Sequence, residues 1–396
     1  MTKREFLKNF ATLGLATPFM TTLLASCSQK VTFYPNLENN FTGKVLIIGA
    51  GAAGITAGHI LQKEGVDFQI LEAASIHGGR VKKTTALGDF PIDLGAEWIH
   101  TDPSILAKLY NRPEASANID IITYNPQTTS VWRDDRLRRR NIARHFYSEY
   151  KFKRSTWFDF FDQYMIPGIQ DKIAYNSPVA EIDYSGTQVI VRTVNNEVYT
   201  ADKVLITVPI TILQQGDITF VPALPADKQA AIDEEWMPDG LKVFVEFSER
   251  FYPDMVVFDN LLASSNDGDH AYYDAAFGKE SDRNVFALFT VGDKASRYIA
   301  MGDDDAIFAE VMRELDAMFE GKASQHYVRH IVQNWTKEPY IRGSYSHGYG
   351  SPEALAAPVA DRLYFAGEAM APDGDTSTAH GAAASAYAEV EKLLVG

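Results

Sequence analysis

Hydrophobic period changes twice within residues 44–72, KVLIIGAGAAGITAGHILQKEGVDFQILE. Val45 to Ile48 is a continuous apolar run, the pattern of a parallel strand covered on both faces. Ala53 to Lys63 follows at helical spacing and stops at Gly65, and Asp67 to Leu71 returns to a strand. Further strands are predicted at Val179 to Asp183, Gln188 to Thr193 and Asp202 to Val208, the last ended by Pro209. In 239–247, DGLKVFVEF, Leu241, Val243, Val245 and Phe247 alternate onto one face. That pattern predicts a half-buried strand, with Lys242, Phe244 and Glu246 on the other face. Residues 242–248, 255–262, 270–277 and 284–291 predict antiparallel strands, and 303–320 an amphipathic helix. Region 101–172 reads as mostly helical and aromatic-rich, its basic run Arg133 to Arg144 a solvated helix face. An alanine-rich helix closes the sequence, Gly381 to Leu394.

The first 27 residues follow a different rule. Thr2 to Lys8 is basic, and LATPFMTTLLAS behind it is apolar but too short to span a bilayer, the shape of an export signal. Leu24-Ala25-Ser26-Cys27 resembles the lipobox in which a bacterial lipoprotein's cysteine is acylated. Lys3-Arg4 resembles a twin-arginine signal with its first arginine replaced. The expectation is an exported, cell-envelope or periplasmic protein, lipid-anchored through Cys27, with residues 28–43 as a polar tether. An uncleaved helix holding a buried cysteine is the alternative.

At 396 residues, 46% hydrophobic, the chain is long enough for two domains with a sizeable core. A net charge of −15 argues against a nucleic-acid partner, because phosphate would be repelled. Cys27 is the only cysteine, which excludes an intrachain disulfide and any multi-thiolate metal site; no metal is expected.

Gly49-Ala50-Gly51-Ala52-Ala53-Gly54 is a GxGxxG turn between strand and helix. Gly49 permits the tight turn, Gly51 lets backbone approach a pyrophosphate, and Gly54 lets the helix pack close, with Ala53 in its first turn. The helix N-terminus then faces the anion. Glu72 ends the second strand, where an acid accepts from ribose hydroxyls and disfavours a 2′-phosphate. Gly78-Gly79-Arg80 adds a second glycine turn with a cation, which suits the longer FAD better than NAD. Within its own strand, Lys242 stays open between a solvated surface residue and a positioned one.

Six motifs in order resemble the flavin-containing amine oxidase family, from about Lys44 to the C-terminus. They are GAGAAG…LEA…GGR; DLGAEWIH (Asp93 to His100); Pro178-Val179 with ADKVLITVP; DGLKVFVEF; Trp335…EPY…GSYS; and YFAGEA with TAHGA. The resemblance implies non-covalent FAD, since Ser344 stands where monoamine oxidases carry the flavin-linked cysteine. It implies that Lys242 holds a water against flavin N5 and that Gly95, Ala96, Glu97 and Trp98 pass the ring. Val179 would meet adenine, Gly367 and Glu368 the ribityl–pyrophosphate arm, Trp335 the flavin edge, and Thr378 the pyrimidine end at the start of the last helix. Gly79 and Arg80 would clamp the phosphates. Glu97, Trp98, His100, Tyr345 and Thr378 would line the amine cavity. For Glu97 and Trp98 the alternatives are a surface acid and a core ring; for Trp335, a core ring.

The implied fold is α/β: a discontinuous Rossmann-like FAD-binding domain (44–90, 173–235 and 335–396) and an α+β substrate domain (91–172 and 236–334) with an antiparallel sheet and helices. The implied reaction is FAD-dependent oxidative deamination of a small-molecule amine by hydride transfer to flavin N5, with oxygen or another acceptor. A desaturase or porphyrinogen-oxidase-like flavoenzyme and a non-catalytic FAD-binding envelope lipoprotein are the alternatives.

Overall fold

The computed structural model describes residues 33–112, 118–140, 149–258, 269–347, 350–372 and 375–395. The expected signal, its lipobox and Cys27 lie outside the described residues.

Five parallel strands form one sheet, in the order Ile173–Ala174, Asp67–Leu71, Lys44–Ile48, Lys203–Ile206, Leu363–Phe365. The apolar run at 45–48 is continuous because both faces are covered. Val45 and Ile47 pack with helix Ala52–Lys63 and helix Ala379–Val395, while Leu46 and Ile48 pack with Val179, Ile182, Ile210 and Leu355. A separate four-stranded sheet runs Val198–Ala201, Val189–Thr193, Val179–Asp183, Thr219–Val221.

The largest sheet has seven strands: Tyr327–Asn334, Gly240–Phe247, Asn284–Val291, His270–Asp274, Met255–Phe258, Thr129–Arg133 and Arg136–Arg140. Its pairings are antiparallel except that of 255–258 with 129–133. Strand 240–247 is buried along its whole length, not half-buried as its alternation predicts. Helix Asp304–Phe319 lays Ile307, Val311 and Leu315 against Leu241, Val243 and Val245, while Phe244 on the opposite face joins Trp335, Tyr124 and Tyr273. Segment 87–98 and Trp335 cover Lys242 and Phe244, and Arg283 and Arg329 close over Glu246.

Region 101–172 also departs from its sequence pattern. Helices Ile105–Tyr110 and Trp157–Tyr164 are present, but Ile121–Tyr124, Thr129–Arg133, Arg136–Arg140 and Glu149–Phe152 are strands. Two of these four join partners more than a hundred residues away or form the sheet edge, and such non-local pairing overrides local preference. The basic run is therefore an edge strand up to Arg140, and exposed Arg136, Arg138 and Arg139 there hinder further strand addition. Residues 33–42 carry no regular element, yet they dock on the body: Tyr34 stacks on Tyr387 at 3.6 Å and Asn40 N–H donates to Leu394 O. Among the described residues, no helix is long and apolar enough to cross a membrane.

Candidate active site

The glycine turn behaves as its residues require. Gly49 holds φ +103°, reachable at low strain by glycine. A Cβ at Gly54 would sit 1.9 Å from Gly49 O, so that position serves close helix packing, with Ala53 buried beside it. A Cβ at Gly51 would meet nothing within 4 Å. The chain thus leaves a cradle in front of Gly51, at the N-terminus of helix 52–63, which has no side-chain cap. Glu72 reaches the same turn, accepting from Ala50 N–H at 2.6 Å and Ala74 N–H at 2.8 Å; burial pushes its pKa up against these bonds.

Gly79 holds φ +56° in the second turn, and a Cβ there would come 3.5 Å from Gly51 Cα. Arg80 donates to Glu368 Oε1 at 2.9 Å and to Ser344 O at 3.0 Å. Glu368, after Gly367, also accepts from Ser346 Oγ at 2.6 Å and Ser377 N–H at 3.0 Å. One ion pair therefore ties the second glycine turn to three C-terminal segments. Thr378 caps the terminal helix: its Oγ1 accepts from Gly381 N–H at 2.9 Å and donates to Asp375 O. Val179 is buried at the start of its strand.

Gly95 and Trp335 meet. A Cβ at Gly95 would strike Arg80 O at 1.8 Å and Trp335 Cζ2 at 2.9 Å, and Trp335 Nε1 donates to Leu94 O at 3.0 Å. Ala96 next to it donates its N–H to Arg80 O.

Lys242 is 3% exposed, which rules out the solvated reading. Its Nζ donates to Glu97 Oε2 at 2.8 Å and Gly95 O at 2.9 Å, with a longer contact to Asp93 O at 3.4 Å. Glu97 is thus neither a surface acid nor free to line an amine cavity. Its Oε1 lies 2.5 Å from Lys151 Nζ, and its Oε2 also accepts from Tyr273 OH. Burial alone would raise the Glu97 pKa, but Lys151 and Lys242 together hold it at about 2. Asp93 beneath them is pushed up to about 8 by burial and by Glu97, while burial and Lys151 lower Lys279 to about 8.

Trp98 packs on Tyr273 (4.9 Å) and Phe289 (5.9 Å), and its buried Nε1 meets no acceptor among the described residues. Tyr345 stacks on His347, and its OH reaches Asp269 Oδ2 at 3.5 Å; burial and that acid keep the phenol protonated. His100 does not join this group: it is exposed and pairs with Glu149 at 2.9 Å. Lys151, Tyr273 and Lys279 are absent from the sequence expectations, because their neighbourhood arises from strands far apart in the chain. Among the described residues, no cluster of His, Cys, Asp and Glu could hold a metal ion.

The open cradle at Gly51, the acid at the end of the second strand and the buried lysine fit a dinucleotide that ends in a redox ring. Residues 163–394 match the family described as flavin containing amine oxidoreductase, and residues 47–112 match an NAD(P)-binding Rossmann-like domain. The chain belongs to the flavin-containing amine oxidoreductase family. Polyamine oxidase 1 of Zea mays is 26% identical over 82% of this chain and 85% of its own length. Cyclohexylamine oxidase from Brevibacterium oxydans superposes with a TM-score of 0.74 at 15% identity, covering 90% of this chain and 99% of that one. Putrescine oxidase bound to putrescine gives 0.72 at 15% identity, over 90% and 100%. The protein is an FAD-dependent amine oxidoreductase.

Proposed function

We propose that the enzyme deaminates a small primary or secondary amine or a polyamine, with Lys242 as its catalytic residue and FAD held without a covalent bond. FAD, when bound, would supply the acceptor for a hydride from the carbon that carries the nitrogen. The chain's part is to orient and to set the local field. The carrying observation is the Lys242 ammonium, buried and fixed by Glu97 and the Gly95 carbonyl. Two of its three N–H donors are committed at short range. The third has only the 3.4 Å contact to Asp93 O, so it would be available to hold a water against the bound flavin.

Tyr345, kept neutral, presents a ring face and a hydroxyl that orient the amine. Thr378 and the N-terminus of helix 379–395 would offer the positive end of a dipole to the bound flavin. Ser344, whose Oγ donates to Pro238 O at 3.0 Å, offers no thiol for a flavin link. The product imine would hydrolyse to an aldehyde with release of ammonia from a primary amine or of the remaining amine from a secondary one, and oxygen or another acceptor would take the electrons.

Mono-, di- and polyamines added without oxygen to the purified yellow holoenzyme test this reading. At least one should bleach the flavin band, and Lys242→Met should slow bleaching or its reversal at least tenfold while the band remains. A panel in which no amine bleaches it favours the non-catalytic FAD-binding protein. We also propose export and acylation at Cys27; a mature N-terminus other than lipidated Cys27, read by mass spectrometry, overturns that part.

A further inference from the structure

Lys151 is 1% exposed and stands in a box of Trp98, Tyr124 and Tyr273, its Nζ 5.6, 5.1 and 5.1 Å from the ring centroids. Its one ion pair among the described residues is Glu97 Oε1, on the carboxylate whose other oxygen holds Lys242. Burying a second ammonium against an acid that already has a partner opposes stability, because each desolvated ion needs its own compensation. Packing alone asks for no charge here, since a thioether fills an aromatic box of this size.

What the second lysine changes is the net charge around Lys242. With Glu97 alone, the Lys242 ammonium would be half of a neutral pair, whose field dies away within a few ångströms. With Lys151 on the far oxygen, the group carries one net positive charge, and Lys242 bears it toward the cradle side. The nearby titratable groups are Asp93, whose raised pKa keeps its carboxyl mostly neutral at pH 7, and Lys279, whose Nζ donates to Phe152 O at 2.7 Å next to Lys151. Tyr273 contributes a hydrogen bond to Glu97 and no charge.

We propose that Lys151 is a positioning residue of the amine oxidation: it neutralises Glu97, so that the Lys242 ammonium acts on the cofactor as an uncancelled positive charge. The proposal rests on the role given to Lys242 above. A net cation near the ring favours the state that has taken up electrons.

The test is the midpoint potential of the bound flavin, titrated with dithionite against a reference dye at pH 7. Three holoenzymes are compared: wild type, Lys151→Met, and Lys151→Met with Glu97→Gln. The net charge of the group is +1, 0 and +1 in that order. Lys151→Met should shift the equilibrium toward the oxidised form at least tenfold, about 30 mV for a two-electron couple. The double variant should return to within threefold of wild type, although it carries more changes. A Lys151→Met potential within threefold of wild type overturns the proposal, as does a double variant displaced as far as the single one. Should Lys151→Met yield no folded holoenzyme, the double variant decides alone: near wild type it supports the charge role, displaced tenfold it overturns it. No amine enters this titration, so a failed amine screen and a failed proposal remain distinguishable.

Discussion

At the scale of single residues, the site is governed by what is buried beside what. Asp93 carries the pH prediction. Its pKa is about 8 in the fold against about 3.9 in an open chain, so the folded state binds the extra proton between those values. Stability therefore falls as pH rises from about 4 to 8. Lys279, lowered to about 8, has the opposite slope: from about 8 to 10.4 the open chain binds more protons and stability rises with pH. The two together predict a minimum near pH 8. Urea midpoints at pH 5 and pH 8 check it: wild type should lose stability over that span, and Asp93→Asn should lose markedly less. Equal losses would remove Asp93 from the account. Asp93 and Glu97 were visible in DLGAEWIH, but their company was not. Lys151 sits in YKFK, within a region whose pattern reads as helical but which folds as a strand, and Tyr273 lies in another strand again. Glu97 looked available for substrate because the sequence offers no sign that two lysines will close on it.

At the scale of elements, the dinucleotide unit was the most legible part, because turn, helix start and strand end are contiguous and each glycine has a local task. The two glycines of that turn can be told apart. Gly51→Ala should fold and lose FAD, since its Cβ meets no protein atom but occupies the cradle. Gly54→Ala should lose stability as well, because its Cβ would enter the Gly49 carbonyl. Absorbance of bound flavin and thermal melting of the apoproteins separate the two effects; equal melting points would contradict the distinction. The middle of the chain was less legible. Aromatic residues at 121–161 satisfy helical and strand spacing alike, and strand 129–133 is decided by its parallel neighbour 255–258. Burial of the polar face of strand 240–247 likewise depends on segment 87–98 and on Arg283 and Arg329, which the strand's own pattern does not reveal.

At the scale of the whole molecule, the cofactor sheet gathers strands from residues 44 to 365, while the seven-stranded sheet delivers Lys242 and Tyr273 to one wall. Ligand linkage should join these parts. FAD at one hundred times its Kd adds about 2.7 kcal/mol to the apoprotein, and its melting temperature should climb with FAD concentration. NAD at the same concentration should do far less; an equal rise would mark a site that reads only the shared ADP half.

Helix Ala379–Val395 lies along helix Ala52–Lys63, with Ala382, Ala383, Ala386 and Val390 in the same core as Ala53, Ile55 and Ala57. A nascent chain consequently has no finished dinucleotide fold until the ribosome has passed residue 395. Cofactor capture is thereby placed at the end of synthesis, after the segment that closes the core around the glycine turn.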